Sequence, residues 1–390
     1  MPALVLALPV VPGRVCEGLM SEHTLILGGG VAGLSAANRL AERGCRVTLV
    51  EANTYPQHKV CGEFLSPEAL PILDAWSIPL GASITHATLT CGHGDMRFPF
   101  PTPAGSTSRY QLDSALAQRA VSLGATIRTG VHITATALRT DTKPTHRVEL
   151  SSGEVLESDQ LIIAIGRVLS DLLQRPPPVM RYVGFKAHFR TSRPTTQLDM
   201  ICFQGGYLGI SPVDSHTLNA ACLVTAAQFA EAGCPDAILT QLQHDNPQNP
   251  SLASLTTEAK VFEHWLTTRV PPLRWQNPPA SPHAYFLGDA MGGIYPATGD
   301  GLGMAITSGL MVADFVIDGD WIGYREAWRK RYIRRLRWGA LIHQSMKSPP
   351  MARGMFHLCN LFPRIPARIF QKTREPTGMM GVQTTHQDPC

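Results

Sequence analysis

The stretch "HTLILGGGVAGLSAANRLAERGCRVTLVEAN", His23 to Asn53, decides the fold. A short apolar run leads into three glycines. Leu34, Ala37 and Leu40 then recur at helical spacing, and "RVTLVE" reads as a second strand ending in Glu51. Strand, helix and strand make a βαβ unit. Gly28 permits the tight turn, Gly30 lets backbone approach a pyrophosphate, and Gly33 lets the helix pack on the strand. The helix opens at Val31 and Ala32, and its N-terminus offers free N–H groups to phosphates. Glu51 lies 18 residues past Gly33, where a carboxylate can accept both ribose hydroxyls of an adenosine. The register predicts dinucleotide binding; the competing reading is a bare glycine turn.

Around this unit, 390 residues with 44% apolar and 16% charged content suit a globular chain with two lobes. The nine cysteines are scattered without a C-x-x-C pair, which argues against a disulfide framework or a zinc site. A metal is not expected, and a reducing cytoplasm is. No apolar run approaches the roughly 20 residues that span a bilayer. The start, "MPALVLALPVVPGRVCEGLM", lacks the basic flank of a signal peptide. Residues 1–21 are expected to be a disordered extension, with Met20 a candidate start.

Downstream, "QLDSALAQRAVSLGA" reads as a helix with Gly124 at its C-terminal cap, and Arg139 to Val155 as a hairpin before the buried strand "DQLIIAIG". From Tyr182 to Val224, "VGFKAHFR", "MICFQGGYLGISPV" and "TLNAACLV" read as a second, antiparallel sheet.

A nucleotide half alone does not separate NAD from FAD. The separation comes at "YFLGDAMGGIYPATGDGLGMAITSGLMVADFV", Tyr285 to Val316. Asp289 stands at a strand end, suited to a ribityl or ribose hydroxyl, and Pro296, Gly299 and Gly301 form a loop running into an apolar helix. A helix N-terminus aimed at the pyrimidine edge of an isoalloxazine would stabilise charge on a reduced flavin. Only a flavin needs such a second anchor.

The pair "GGGVAG…E" and "GDAMGGIYPATGDGLGMAI" resembles the superfamily of FAD-dependent aromatic hydroxylases, flavin halogenases and geranylgeranyl reductases, over about residues 22 to 320. "HKVCGEFLSPEAL" is similar to the reductase and halogenase branch, and "SRYQLDSAL" to the Arg-x-x-x-Asp helix start of the superfamily. The resemblance implies that Gly28, Gly30, Gly33 and Glu51 hold the ADP part. It sets Cys61, Gly62 and Arg109 along the ribityl and isoalloxazine side, and has Asp289 and Gly301 close the flavin site. Cys61 reads equally as a small buried hydrophobe, and Arg109 as a surface helix start.

Three departures narrow the chemistry. Ile165-Gly166 replaces the usual Asp-Gly of the hydroxylases, which puts direct NAD(P)H binding in doubt. The W-x-W-x-I-P stretch of tryptophan halogenases is absent, so chloride chemistry is not expected. "GGYLGISP" has Gly209 where geranylgeranyl reductases carry Trp.

Catalytic candidates are Glu63, as an acid or base of raised pKa or as a cap for a helix near Pro67; His188, as a proton donor or a core histidine; and Tyr207, as a phenol near the cavity or sheet packing. Between Arg325 and Arg374 stand thirteen Lys and Arg against one acid, Glu326, although the whole chain carries only +4. On "REAWRKRYIRRLRW", Trp328, Tyr332 and Arg335 share a side. The segment reads as an interfacial helix on anionic lipid, as a docking face for an acidic carrier protein or flavin reductase, or as a helix packing its aromatics on the body. Nothing resembles a nucleic-acid-binding fold.

The expectation is an α/β protein: a Rossmann-like FAD-binding domain over 22–180 and 281–320, with part of 60–110 facing the substrate lobe. An antiparallel substrate domain over 181–280 and a basic helical segment over 321–390 complete it. The expected activity is FAD-dependent oxidoreduction of a hydrophobic aromatic, polyketide or isoprenoid molecule, with oxygen insertion preferred over double-bond reduction. A FAD-stabilised pigment- or lipid-binding protein is the non-enzymatic alternative. The expected place is cytoplasmic, with peripheral membrane association as an addition.

Overall fold

The computed structural model describes residues 22–374, apart from 93, 141–144, 167–177, 257–258, 363–364, 366–367, 369 and 371–372. The extension over 1–21, Met20 and the end of the basic segment lie outside the described residues.

Strands β1 (His23–Leu27), β2 (Arg46–Glu51), β6 (Thr126–Thr129), β10 (Gln160–Ile163) and β16 (Ala284–Phe286) form a parallel sheet in the order β16-β10-β1-β2-β6. Its central strands are continuous apolar runs because both faces are covered. Leu25, Ile26, Leu27, Leu161, Ile162 and Ile163 are all fully buried. Helix α1 (Val31–Glu42) packs between α3 (Arg109–Ser122) and α7 (Gly301–Ile317). Small residues permit this approach: a Cβ on Gly309 of α7 would stand 2.6 Å from the Ser35 Cβ of α1. Helix α3 ends as expected, with Gly124 just beyond it at φ +95. The region around Arg139 forms a small antiparallel sheet, β7 (Ile133–Ala137), β8 (His146–Leu150) and β9 (Val155–Ser158).

The second sheet has the order β15-β11-β14-β13-β12-β4-β5-β3. It is antiparallel except where β12 (Gln197–Phe203) runs parallel to β4 (Ala82–Cys91). The strands β11 (Tyr182–Arg190), β13 (Gly206–Pro212), β14 (Thr217–Thr225) and β15 (Leu266–Val270) come from the middle of the chain. The segment of 60–110 set against this lobe is woven into it: β3 (Phe64–Leu65), β4 and β5 (Gly94–Ser106) complete the sheet.

The two faces of β11 have different neighbours, as period-two alternation requires. Phe185, Ala187 and Phe189 pack with Ile238, Leu239 and Leu242 of helix α5 (Pro235–Asp245). The short helices α2 (Leu70–Ala75), α4 (Ala226–Ala232) and α6 (Pro250–Ala253) fill corners. Lys186 and His188 turn the other way, toward the loop before β3. The chain then closes with α8 (Trp321–Met346) and α9 (Pro349–Leu361).

Candidate functional site

The first glycine turn gives each of its residues a separate reason. Gly28 sits at φ +99, and a Cβ there would run into the Ala164 carbonyl. A Cβ on Gly33 would run into the Gly28 carbonyl, so α1 lies tight on the turn. Gly30 differs: its Cβ would meet nothing within 4 Å, and the residue borders an open cavity. No side chain caps α1. One Glu51 oxygen accepts from the Gly29 amide at 2.7 Å, and the other from the Asn53 backbone amide at 3.1 Å and side-chain amide at 2.9 Å. Glu51 thus braces the turn it was expected to serve; a carboxylate has about four acceptor sites, so room remains for a hydroxyl. Tyr55, which sequence reasoning missed, donates to the Gly29 carbonyl at 2.6 Å.

The second glycine loop follows β16. Gly288–Ala290 and Pro296–Thr298 are single 3-10 turns, Gly299 is left-handed at φ +63, and α7 starts at Gly301 with no side-chain cap. A Cβ on Gly299 would press on the Phe64 ring at 2.7 Å. Asp300 is buried and held by Arg374 at 2.7 Å and Arg335 at 3.6 Å.

Between the two loops runs the turn from Lys59 to Glu63, and it departs most from expectation. Glu63 is left-handed, at φ 56, and fully buried. Its carboxylate takes the Lys186 ammonium on one oxygen and His188 Nε2 at 2.7 Å on the other. The Arg109 amide also donates to it at 2.7 Å. Glu63 therefore supports the start of α3, whose N-cap Ser108 accepts from the Gln111 amide, and not the helix near Pro67, whose N-cap Ser66 makes no side-chain bond. Its pKa is not raised: burial pushes upward, but the His188 hydrogen bond and the Lys186 charge hold it below the ordinary 4.5. His188, placed on the even face of β11, spends itself on Glu63 and does not border the cavity. Both free acid–base roles are corrected by the same ion pair.

His58 packs edge-on to His188 with ring centres 5.1 Å apart, and burial pushes its pKa down to about 4. Ligand atoms of His58, Glu63 and His188 lie within 4.8 Å of one another, but the Lys186 ammonium already neutralises the carboxylate. A cation there would face that charge. Arg109 makes a two-pronged pair with Asp113, both bonds 2.6 Å, and borders the cavity with Cys61 and Gly62. Cys61 is half-buried, and its sulfur accepts from the Glu63 amide at 3.3 Å.

These pieces share one cavity of about 1400 Å³. Gly28, Gly30, Val31, Ala32, Glu51, Cys61, Gly62, Arg109, Asp289, Pro296, Gly299 and Gly301 all border it; Gly33 alone of the cofactor candidates lies behind, in the packing of α1. Part of the cavity wall, its apolar arm, is the cluster where the second sheet meets the C-terminal helices: Phe98, Met200, Leu223, Met346 and Met355. Tyr207 borders this arm; its buried hydroxyl accepts from the Ala297 amide at 3.3 Å and meets His343 Nδ1 at 3.3 Å, tying β13 to the second glycine loop.

An elongated ligand with a phosphate-bearing half and a ring at the far end fits two helix N-termini opening on one cavity, with Gly30 leaving its backbone bare. Residues 23–66 match the family model for FAD dependent oxidoreductases. The fold is that of a FAD-dependent oxidoreductase. The menaquinone reductase of Mycolicibacterium smegmatis is 26% identical over 328 residues, 78% of each chain. Among solved structures, the probable FAD-dependent monooxygenase PqsL of Pseudomonas aeruginosa superposes with a TM-score of 0.69 at 17% identity, over 86% of this chain and 99% of that one. The flavin-dependent brominase Bmp2 does so with 0.73 at 15% identity, over 90% and 93%.

Trp328, Tyr332 and Arg335, which read as an interfacial or docking face or as packing on the body, are turned inward. Both aromatics are buried, and Arg335 pairs with Glu68 at 3.4 Å as well as with Asp300. That side of α8 is core, which settles for packing at those three positions. Among the described residues no helix is long and apolar enough to cross a membrane.

Proposed function

We propose that this FAD-dependent oxidoreductase reduces a carbon–carbon double bond of a long lipophilic molecule of the isoprenoid–quinone class. The observation that carries the reading is the apolar arm, which runs on from the dinucleotide cradle and offers a chain-shaped substrate few polar partners. The name of the mycobacterial relative joins reductase activity to a quinone with a polyisoprenoid tail, and that relative matches over most of both chains.

When bound, FAD supplies the two-electron chemistry. Gly28, Gly30, Val31, Ala32, Glu51, Arg109 and Asp289 would hold it, and Pro296, Gly299, Gly301, Cys61 and Gly62 would shape the region of its ring. The chain's own part is to bind, orient and keep dry. Lys186 and His188 fix Glu63, Glu63 fixes the Cys61–Gly62 turn and the start of α3, and Arg109 is braced by Asp113. Phe98, Met200, Leu223 and Met346 exclude water from the arm. Cys61 and Tyr207 both border the cavity; with the Tyr207 hydroxyl engaged by the Ala297 amide and His343, the Cys61 thiol is the candidate that moves a proton to the substrate carbon. With Ile165-Gly166 where hydroxylases carry Asp-Gly, electrons are expected from a separate flavin reductase rather than from tightly held NAD(P)H.

Oxygen insertion is the second reading, favoured by the likeness of the fold to a probable monooxygenase. Anaerobic mixing of dithionite-reduced holoenzyme with menaquinone separates the two. Flavin reoxidised without dioxygen, with menaquinone recovered heavier by two hydrogens after its ring is reoxidised in air, is the expected result. Flavin that stays reduced until oxygen is admitted, with product heavier by one oxygen, overturns it.

A further inference from the structure

The last helix has three faces. Ala352, Phe356 and Cys359 are buried; Met355, beside them, also borders the apolar arm, as does Cys359. Beside this face Met351, Leu358 and Leu361 of α9, and Phe362 just past its end, are apolar and uncovered, at 52%, 48%, 61% and 57% exposed. Arg353 and His357 are exposed on the third face. Scattered single apolar residues at a surface need no explanation, but three on a short helix with a fourth at its end do. On the preceding helix, Lys330, Arg334 and Arg337 are exposed at i, i+4 and i+7, leading to Leu341, itself uncovered. No acid other than Glu326 interrupts the sequence from Arg325 to Arg374.

We propose that α9 lies in the interface of an anionic lipid bilayer, with the Lys330–Arg334–Arg337 row of α8 held against the headgroups. An exposed apolar face on α9, a helix that also carries the exposed Arg353 and follows a helix with an exposed basic row, has the composition of an interfacial element. The charge is of the sign that anionic lipid attracts. The occupant is lipid rather than an acidic protein because the uncovered apolar stripe needs an apolar acceptor, which phosphate groups alone do not offer. The same helix walls the substrate arm with Met355 and Cys359, so a lipophilic molecule passing from bilayer to cavity has one helix to cross. The proposal rests on the lipophilic-substrate reading for its purpose, not for its evidence.

Flotation of FAD-loaded protein with phosphatidylcholine vesicles, and with vesicles containing phosphatidylglycerol as well, tests it without turnover. The expected result is flotation with the mixed vesicles at low salt, weakened by about fivefold for each of Lys330, Arg334 and Arg337 changed to Ala. Loss of roughly tenfold or more is expected for the pair Leu358→Asp and Phe362→Asp, with the yellow FAD content unchanged. No flotation with mixed vesicles overturns the proposal. So does flotation that the Leu358→Asp, Phe362→Asp pair leaves intact, since charge alone then acts and an acidic protein face would serve as well. Protein that floats as expected but fails to reduce menaquinone anaerobically sinks the reductase reading and leaves the docking helix standing.

Discussion

The backbone amide of Arg109 donates to the Glu63 carboxylate at 2.7 Å, across 46 residues of chain. Through this bond the start of a helix in the cofactor domain, a turn bordering the cavity and a strand of the second sheet meet on one buried side chain. Removing the carboxylate leaves Lys186 buried and unpaired. Glu63→Ala should cost about 3–5 kcal/mol of stability, as broken buried ion pairs do. Urea unfolding of the FAD-free protein measures it, and a loss under about 1 kcal/mol would show that the pair is not the keystone.

Acid should weaken the fold from two sources with one sign. Burial pushes His146 and His343 down to about 4, below the ordinary 6.5, so between those values the unfolded chain binds protons that the folded chain refuses. Glu63, held below 4.5, contributes stability present above that value and lost as pH falls through its folded pKa. Glu68 acts the other way over the same window, its carboxyl pushed up to about 7 by burial and the Asp300 charge. The histidine share is therefore read as the difference in melting temperature against pH between wild type and His146→Gln; an unchanged slope between pH 6.5 and 4.5 contradicts the burial of His146.

Gly28 and Gly30 should fail in different ways. Gly30→Val projects into open cavity, so the protein should melt near the wild-type temperature yet purify colourless. Gly28→Ala puts a side chain on a positive φ and into the Ala164 carbonyl, and should lose about 1–2 kcal/mol or more of stability. Absorbance of retained flavin and thermal melting, read together, distinguish them; yellow Gly30→Val protein would refute the cradle.

Arg335 should behave unlike its neighbours. Arg335→Ala takes the ion-pair partner from partly buried Glu68 and leaves Asp300 to Arg374 alone, at about 3 kcal/mol. Arg334→Ala and Arg337→Ala, both exposed, should stay within about 0.5 kcal/mol. Chemical denaturation of the three variants gives the comparison, and equal losses would place Arg335 at the surface.

Cys61 borders the cavity while Cys234 is exposed on the outside. Iodoacetamide should mark Cys234 at the same rate with and without FAD, and Cys61 several times faster once FAD is stripped. Peptide mass spectrometry reads both sites; equal Cys61 labelling in the two forms would remove it from the cofactor's side.

The parts legible in the sequence were those whose physics is local. Gly28, Gly30 and Gly33 carry their duties in their spacing, and Gly299 and Gly301 announce a loop feeding a helix. Glu63 was legible only as an interesting carboxylate, because its partners Lys186 and His188 arrive more than a hundred residues later. The "FKAHF" alternation separates Phe185 from His188 but is silent about which face meets the cavity. Helix α8 misled for a different reason: Trp328 and Tyr332 in a basic run suit a membrane surface and a protein core equally. Only packing against the second glycine loop decides. The uncovered stripe of α9 had no signal of its own, since Met351, Leu358 and Phe362 read as core residues until their burial is known.

The parallel sheet sets a schedule on synthesis. Its edge strand β16 and the second glycine loop are encoded after the whole antiparallel lobe, so a ribosome that has translated as far as Val270 has made β10 with β1 on one side and nothing yet on the other. Helix α1 at that moment lacks α7, against which Ala32 and Ser35 close. The nascent protein thus waits with an apolar groove and half a receptacle, and its cofactor can be captured only near the end of translation.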